Sequence, residues 1–206
     1  MQGLFTSDDD PWSGGFFELS MQFERLTPGL QFRAQAALWG HESLQGAYLR
    51  RDLDPSAQPC VELATVAESW YGVATTPNRI HVACASFWLE VGGDEGAWLS
   101  LALPMQSLGR AYPVGAYPFD DGLPLGWRET VMHWLRQVAS TVHIQVPIDL
   151  GLVGWEPDDS GLTAAVIRTA GIPSERYDGI LIPESRQLGW YPPTHGAPMT
   201  FERGGA

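Results

Sequence analysis

Few side chains in the sequence have the type and spacing that catalysis requires. Glu129 and His133 lie four residues apart in a segment predicted to be helical, where a carboxylate can orient an imidazole for acid–base catalysis. A hydrogen-bonding pair on the helix surface explains the same spacing more simply. A nucleophile elbow of the GxSxG type and an SxxK pair are both missing from the sequence. The residues therefore favour a non-enzymatic protein and identify no catalytic side chain.

Two pairs of adjacent carboxylates, Asp120–Asp121 and Asp158–Asp159, are the best candidates for binding a divalent cation. Each pair precedes a predicted helix, and N-capping explains aspartates at such positions without a metal. The five histidines and two cysteines show none of the spacings of a zinc site, and the sequence contains no calcium-binding loop. We therefore predict no metal site.

Lysine is missing from the sequence, because all twelve basic residues are arginines. A Walker A phosphate loop, a pyridoxal Schiff base and the active site of a protein kinase each require a lysine. These classes of protein are therefore excluded. The glycines also fail to match the GxGxxG pattern of a dinucleotide site, and we predict that the chain holds no cofactor.

The charge of the chain indicates the kind of partner that it binds. Its 24 acidic and 12 basic residues give a formal charge of −12, which repels nucleic acid and anionic membranes and attracts basic proteins. No apolar run approaches the roughly 20 residues of a membrane helix, and the first residues do not resemble a secretion signal. We predict a cytoplasmic protein that binds neither nucleic acid nor membranes directly. The alternative that the acidic surface only confers solubility stays open.

The periodicity of the apolar residues predicts two hairpins early in the chain. Apolar and polar residues alternate at 16–25 and again at 30–38, on either side of the turn signal Thr27–Gly29. The segments 80–91 and 97–104 predict a second hairpin, whose connecting loop is rich in glycine.

Two helices are predicted in the later part of the chain. Apolar residues recur at helical spacing over 126–142, and a second helix over 161–170 follows capping residues at 158–160. Strands cluster early, helices come late, and no repeated βαβ pattern is present. We therefore predict an α+β fold, with a mainly antiparallel sheet built from early hairpins and two principal helices in the C-terminal half.

The composition predicts a single folded domain at residues 16–193, because no internal segment resembles a linker. Residues 1–15 contain three consecutive aspartates and a glycine pair, and are predicted to form a flexible acidic leader. Residues 194–206 are predicted to form a C-terminal tail.

The segment 103–122 is the least regular part of the sequence. It contains Ala-Tyr-Pro twice, with tyrosines at Tyr112 and Tyr117, and ends in Asp120 and Asp121. A residue before proline is held extended, and two prolines prevent regular pairing in a sheet interior. We expect a semi-rigid connection whose tyrosines cover part of the core. Alternatively, stiff aromatic anchors followed by acidic groups suit a protein interface.

The sequence favours a non-enzymatic acidic protein-binding module, such as an inhibitor or the immunity protein of a toxin, that engages a basic protein. The residues predicted to bind this partner are Tyr112, Tyr117, Asp120, Asp121, Asp158 and Asp159. The alternative is a small-ligand-binding protein or an enzyme with a cleft lined by Trp155, Trp190 and nearby carboxylates. A deep pocket would favour this alternative, whereas a flat acidic patch with tyrosines at its rim would favour the protein-binding module.

Overall fold

The computed structural model describes residues 3–25, 27–63, 69–90, 96–119, 125–185 and 187–196, and at Asp158 and Asp159 it describes the backbone alone. Within these ranges the chain forms eight strands and four α-helices. In chain order they are β1 (Phe16–Phe23), α1 (Pro28–Trp39), β2 (Leu44–Tyr48), β3 (Ser69–Thr75), β4 (His81–Glu90), β5 (Ala97–Pro104), α2 (Met105–Leu108), α3 (Gly126–Gln145), β6 (Leu150–Trp155), α4 (Ala164–Ala170), β7 (Gly179–Glu184) and β8 (Gln187–Tyr191).

The eight strands form one antiparallel sheet in the order β2–β3–β4–β5–β1–β6–β7–β8. β1 lies inside the sheet, between β5 and β6, so that Ser20 is opposite Ser100 on one side and Leu152 on the other. The first strand of the chain is therefore an interior strand of the sheet, and both of its neighbours come much later in the chain. The predicted α+β fold with a mainly antiparallel sheet is confirmed.

Three of the predicted elements form as expected. The hairpin predicted between 80–91 and 97–104 is the antiparallel pair β4–β5, in which Phe87 lies opposite Ser100. The helix predicted at 126–142 is α3, which continues to Gln145. The helix predicted at 161–170 is the shorter α4.

The hairpin predicted between 16–25 and 30–38 is wrong, because 30–38 lies within helix α1. The Thr27 hydroxyl accepts a hydrogen bond from the backbone N–H of Leu30 at 3.2 Å, and Pro28 occupies the first turn. The signal interpreted as a turn is therefore a helix N-cap followed by a proline at a favourable position. Three alanines in the segment favour a helix, and its buried residues follow helical spacing, at Ala34, Gln35, Leu38 and Trp39.

One face of the sheet packs against α1 and α3. The residues of β1 on this face are each at most 1% exposed: Phe17, Leu19, Met21 and Phe23. α3 meets them with a stripe at helical spacing whose members are fully buried: Val131, Leu135, Val138 and Val142. Burying a side chain of this size contributes roughly 1.5–3 kcal/mol, so this layer of sheet and two helices supplies much of the apolar core.

The opposite face of the sheet is also covered, which the alternating pattern of β1 does not indicate. Glu18, Ser20 and Gln22 are at most 3% exposed although they are polar. The Ser20 and Ser100 hydroxyls lie 2.9 Å apart, and Gln22 Oε1 accepts a hydrogen bond from the Ala164 N–H at the start of α4, at 2.7 Å. Burial of these groups is tolerated because they form hydrogen bonds inside the protein.

The residues predicted as a flexible leader contribute to this second face. Leu4 and Phe5 are at most 3% exposed, and the Phe5 ring contacts the Tyr48 ring edge-on at 6.0 Å. The Asp54 carboxylate accepts hydrogen bonds from the N–H groups of Gly3 and Phe5. The boundaries of the leader, domain and tail stay a prediction, but this part of the leader is packed.

No helix among the described residues is long and apolar enough to cross a membrane.

Candidate functional site

The part of the segment 103–122 that contains both Ala-Tyr-Pro repeats forms one wall of an open cleft of about 600 Å³. It follows α2 and lies against the glycine pair that precedes β1 and against the end of β6. We call this site the aromatic cleft. Among the residues that line it are Gly14, Gly15, Gln106, Arg110, Tyr112, Pro113, Tyr117, Phe119 and Trp155. Arg110 is the only charged residue among the described residues of the lining.

Tyr117, predicted to bind a partner, is a core residue in this structure. It is 3% exposed, and its ring lies edge-on to Trp127 at 5.3 Å and to Trp155 at 6.0 Å. The Arg128 guanidinium lies 5.3 Å from the centre of the same ring. Burial raises the pKa of the Tyr117 hydroxyl to about 12. A partner could contact this side chain only after the segment had moved away from the core.

Tyr112 is half-buried and also packs against the main core. Burial raises the pKa of its hydroxyl, and hydrogen bonds with the Asn78 backbone and the Thr76 side chain oppose this effect. The backbone at this point is fixed, because the Tyr112 N–H donates to the Leu108 carbonyl and Asn78 Nδ2 donates to the Ala111 carbonyl at 2.7 Å. The description of the segment as a semi-rigid connection over the core therefore accounts for both tyrosines.

Phe119 is the exposed aromatic residue of the segment, although it is not among the residues predicted to bind a partner. It is 73% exposed, and its ring lies edge-on to Trp155 at 6.2 Å. A turn holds it in place, since the Phe119 N–H donates to the Ala116 carbonyl at 2.8 Å. Its position directly before Asp120 and Asp121 was the available signal, because an aromatic residue that adjoins two carboxylates is poorly suited to a core.

Of the four aspartates predicted to bind a partner, the structure describes the backbone of two. Asp120 and Asp121 lie outside the described residues. The backbone of Asp158 and Asp159 forms a 3₁₀ turn at Pro157–Ser160, directly after β6 and Trp155. The predicted capping of the second helix by residues 158–160 is wrong, because Thr163 is the N-cap of α4 and accepts a hydrogen bond from the Val166 N–H at 3.2 Å.

Arg128 is buried between the aromatic cleft and a second cleft. It is 5% exposed, and its Nη2 donates to the Tyr177 carbonyl at 2.8 Å while its Nη1 donates to the Gly196 carbonyl. Burial raises the pKa of the nearby Asp178 carboxyl to about 6, and the charge of Arg128 opposes this effect. Arg128 thus joins α3 to the loop before β7 and to the segment after β8, and it lines the second cleft.

The second cleft, which we call the arginine cleft, has a volume of about 620 Å³. It lies between α3 and the chain that follows β8. Among the residues that line it are Arg128, Glu129, Met132, His133, Arg136, Trp190, Pro192, Pro193, Thr194 and His195. The Arg136 guanidinium lies 4.7 Å from the centre of the Trp190 ring. Trp155 and Trp190 therefore line two different clefts and do not form the single cleft of the alternative hypothesis.

Glu129 and His133 are both exposed on α3, at the edge of the arginine cleft. The His133 ring interacts with the Gln137 amide, with 3.4 Å between His133 Nε2 and Gln137 Nε2. This contact lies on the helix surface, as expected for a polar surface group. No group of three or more histidine, cysteine, aspartate or glutamate side chains within the described parts of the chain is arranged to hold a metal ion.

Neither a family model, nor a curated protein, nor a solved structure matches this chain.

Proposed function

We propose that this chain is a non-enzymatic binding protein that engages a basic protein through the rim of the aromatic cleft, with Phe119 as the apolar anchor. The observation that carries the proposal is the 73% exposure of Phe119 beside an open cleft. Large aromatic side chains at the centre of an interface supply much of its binding free energy. Phe119 replaces Tyr112 and Tyr117 in this role, because both tyrosines are packed against the core.

The geometry around Phe119 suits a protein anchor. The ring rests edge-on against Trp155, which is itself partly buried against the core. Such support limits the conformational entropy that the Phe119 side chain loses on binding. The lining of the cleft beside the ring includes four glycines and Pro113. An exposed apolar anchor next to an open cleft is typical of a protein interface.

The net charge of the chain indicates the sign of the charge that its partner carries. The net charge is −12, and two of the acidic residues, Asp120 and Asp121, follow Phe119 directly. Complementary charge raises the association rate and the specificity of a complex more than it raises affinity. A basic enzyme or toxin that this chain inhibits would fit both the apolar anchor and the acidic field. The inhibitor or immunity-protein class therefore stays our proposal for its biological role.

Affinity capture with matched variants tests the proposal. Wild type, Phe119→Ala and Phe32→Ala would each be immobilised and exposed to a lysate of the source organism. Phe32 is the control because it is 48% exposed on α1, away from the aromatic cleft. We expect one basic protein to be retained by wild type and Phe32→Ala and lost from Phe119→Ala. Thermal unfolding should show that neither substitution destabilises the fold.

The binding kinetics of this chain and its purified partner then distinguish the contribution of the Phe119 ring from that of the two aspartates. Phe119→Ala should raise the off-rate, with a loss of about 2 kcal/mol if the ring is a hot spot. Replacing Asp120 and Asp121 with arginine should slow association, most clearly at low salt, since exposed charges are screened over about 10 Å at 0.1 M. Equal capture by wild type and Phe119→Ala, or a captured partner whose binding ignores both salt and these substitutions, would refute the proposal.

A further inference from the structure

The arginine cleft carries positive charge in a strongly acidic protein. Its described lining contains the guanidinium groups of Arg128 and Arg136, two imidazoles, and the single carboxylate of Glu129. With neutral imidazoles these groups sum to +1, whereas the whole chain carries −12. The Asp178 carboxylate beside Arg128 balances the charge of that residue, so Arg136 is the cation that the cleft offers to an anionic ligand.

Arg136 is the group of the cleft that is best placed to bind an anion. Its guanidinium stacks on the face of Trp190, an arrangement that uses the flat face of the cation and leaves the N–H groups at its edge free to donate. No described residue accepts a hydrogen bond from Arg136 or forms an ion pair with it. Burial lowers its pKa, so an anion at its edge would also relieve the loss of hydration of this charge.

Arg128 provides a second, independent observation at the same cleft. The residue is 5% exposed, and its Nε is buried with no hydrogen-bond partner in the part of the chain that the structure describes. Arg128, Met132 and Arg136 are spaced at i, i+4 and i+8 along α3, so they form one row on the helix that is about 12 Å long at 1.5 Å per residue. The row places Met132, a core residue that is 4% exposed where it borders the cleft, between two cations.

The opposite wall of the cleft contains two prolines and is held in place by hydrogen bonds. Pro192 and Pro193 face the row from the chain after β8. The following residues are tied to the loop before β7, since the Thr194 N–H donates to the Arg176 carbonyl at 2.8 Å and the Thr194 hydroxyl accepts from the Arg176 N–H at 2.8 Å. The volume of about 620 Å³ lies in the range of small-molecule sites.

From this arrangement we infer that the arginine cleft binds a small organic anion, whose carboxylate or phosphate group pairs with Arg136 and whose apolar body lies between Met132 and the proline pair. The guanidinium edge matches either anion in a bidentate geometry. The aromatic face of Trp190 is already occupied by Arg136, so the body of the ligand packs on aliphatic side chains. This site is separate from the rim of the aromatic cleft, and its existence does not depend on the proposed protein partner.

Titration calorimetry of the full chain with three small probes tests the inference. Benzoate and phenyl phosphate each combine an apolar ring with an anion, and benzyl alcohol has the ring without the charge. We expect saturable binding of benzoate or phenyl phosphate and none of benzyl alcohol. The tighter of the two anions identifies the site as one for carboxylates or for phosphates.

Two variants that each remove one positive charge, one inside the cleft and one outside it, locate the site. Arg136→Gln should weaken binding by at least about tenfold, equivalent to ~1.4 kcal/mol, and Arg136→Lys should give an intermediate loss because it keeps the charge without the planar fork. The control is Arg33→Gln, since Arg33 is exposed on α1 and lines a different groove. The control should change affinity by less than about twofold, because a remote charge acts only through a screened field. The inference is overturned if neither anion binds saturably, if benzyl alcohol binds equally well, or if Arg136→Gln and Arg33→Gln behave alike.

Discussion

Replacing Tyr117 with phenylalanine should stabilise the protein slightly, although the residue is buried. Its ring is 3% exposed and packs on Trp127 and Trp155, so phenylalanine preserves these contacts. Its hydroxyl is buried and has no hydrogen-bond partner among the described residues, and a buried polar group without a partner costs about 1–3 kcal/mol. We expect Tyr117→Phe to raise the free energy of unfolding by about 1 kcal/mol at pH 7, after a small loss from the void left by the oxygen atom. Tyr117→Ala should instead lower it by about 3–5 kcal/mol, because the whole ring is lost.

The same variant should change the response of the protein to alkali. Burial raises the pKa of Tyr117 from 10.0 to about 12. Between these values the unfolded chain releases the proton while the folded chain keeps it, so the stability due to this group is complete below pH 10 and is lost as the pH rises towards 12. At pH 11 the loss is about 1.4 kcal/mol, one pKa unit of differential proton binding. The advantage of Tyr117→Phe over wild type should grow by this amount between pH 7 and pH 11.

Urea unfolding, followed by tryptophan fluorescence at pH 7 and pH 11, measures both effects. Tyr177→Phe is the matched control, because Tyr177 is 37% exposed and its replacement should leave the difference between the two pH values unchanged. The reasoning is refuted if Tyr117→Phe lowers stability by more than about 1 kcal/mol at pH 7, since the hydroxyl would then make a net favourable hydrogen bond. An advantage that does not grow with pH would show that the hydroxyl is hydrated in the folded state.

Three further predictions concern other parts of the fold. Burial raises the pKa of Asp178 from 3.8 to about 6, so the stability of wild type relative to Asp178→Asn should fall by about 2 kcal/mol as the pH rises from 4 to 6; a difference that is constant in urea unfolding across this range would contradict the assignment. Gly72→Ala would place a Cβ atom 2.3 Å from the Trp39 ring, and it should cost about 1–3 kcal/mol in the same assay. Cys84 is fully buried, and burial raises its pKa, whereas Cys60 is exposed; a thiol reagent should therefore modify Cys60 alone in the native protein, and both thiols only after unfolding.

The local pattern of the sequence predicted most elements for which one periodicity dominates. The β4–β5 pair follows from two alternating runs joined by a glycine-rich loop, and α3 follows from apolar residues at helical spacing. The segment 30–38 was mispredicted because an alternating run of leucine, phenylalanine and alanine also places Ala34 and Leu38 one helical turn apart. Two periodicities coexist in those residues, and the helix cap at Thr27 decides between them.

The candidate sites were predicted less well than the fold. The sequence drew attention to the 103–122 segment, which does form the wall of a cleft. The segment has no periodicity that indicates the inward packing of Tyr117, and the adjoining carboxylates of Asp120 and Asp121 were the one local sign that Phe119 projects outward. The positive charge of the arginine cleft was equally hidden. In the sequence Arg128 and Arg136 fall outside the apolar stripe of the predicted helix, and the wall that makes them a site comes from the chain after β8.

The sequence by itself determined which lysine-dependent classes of protein are excluded, the net charge of the chain and the periodicity of most elements. These properties depend only on residue types and on spacings of a few positions. A chain without lysine cannot form a lysine-dependent site, and its net charge of −12 holds for any fold. The tertiary structure alone decided which residues meet. β1 lies between β5 and β6 although its partners are as far away as Trp155, and both clefts join segments that are distant in the chain. Contacts of this kind depend on how complete elements pack against one another, and no local spacing of residues records them.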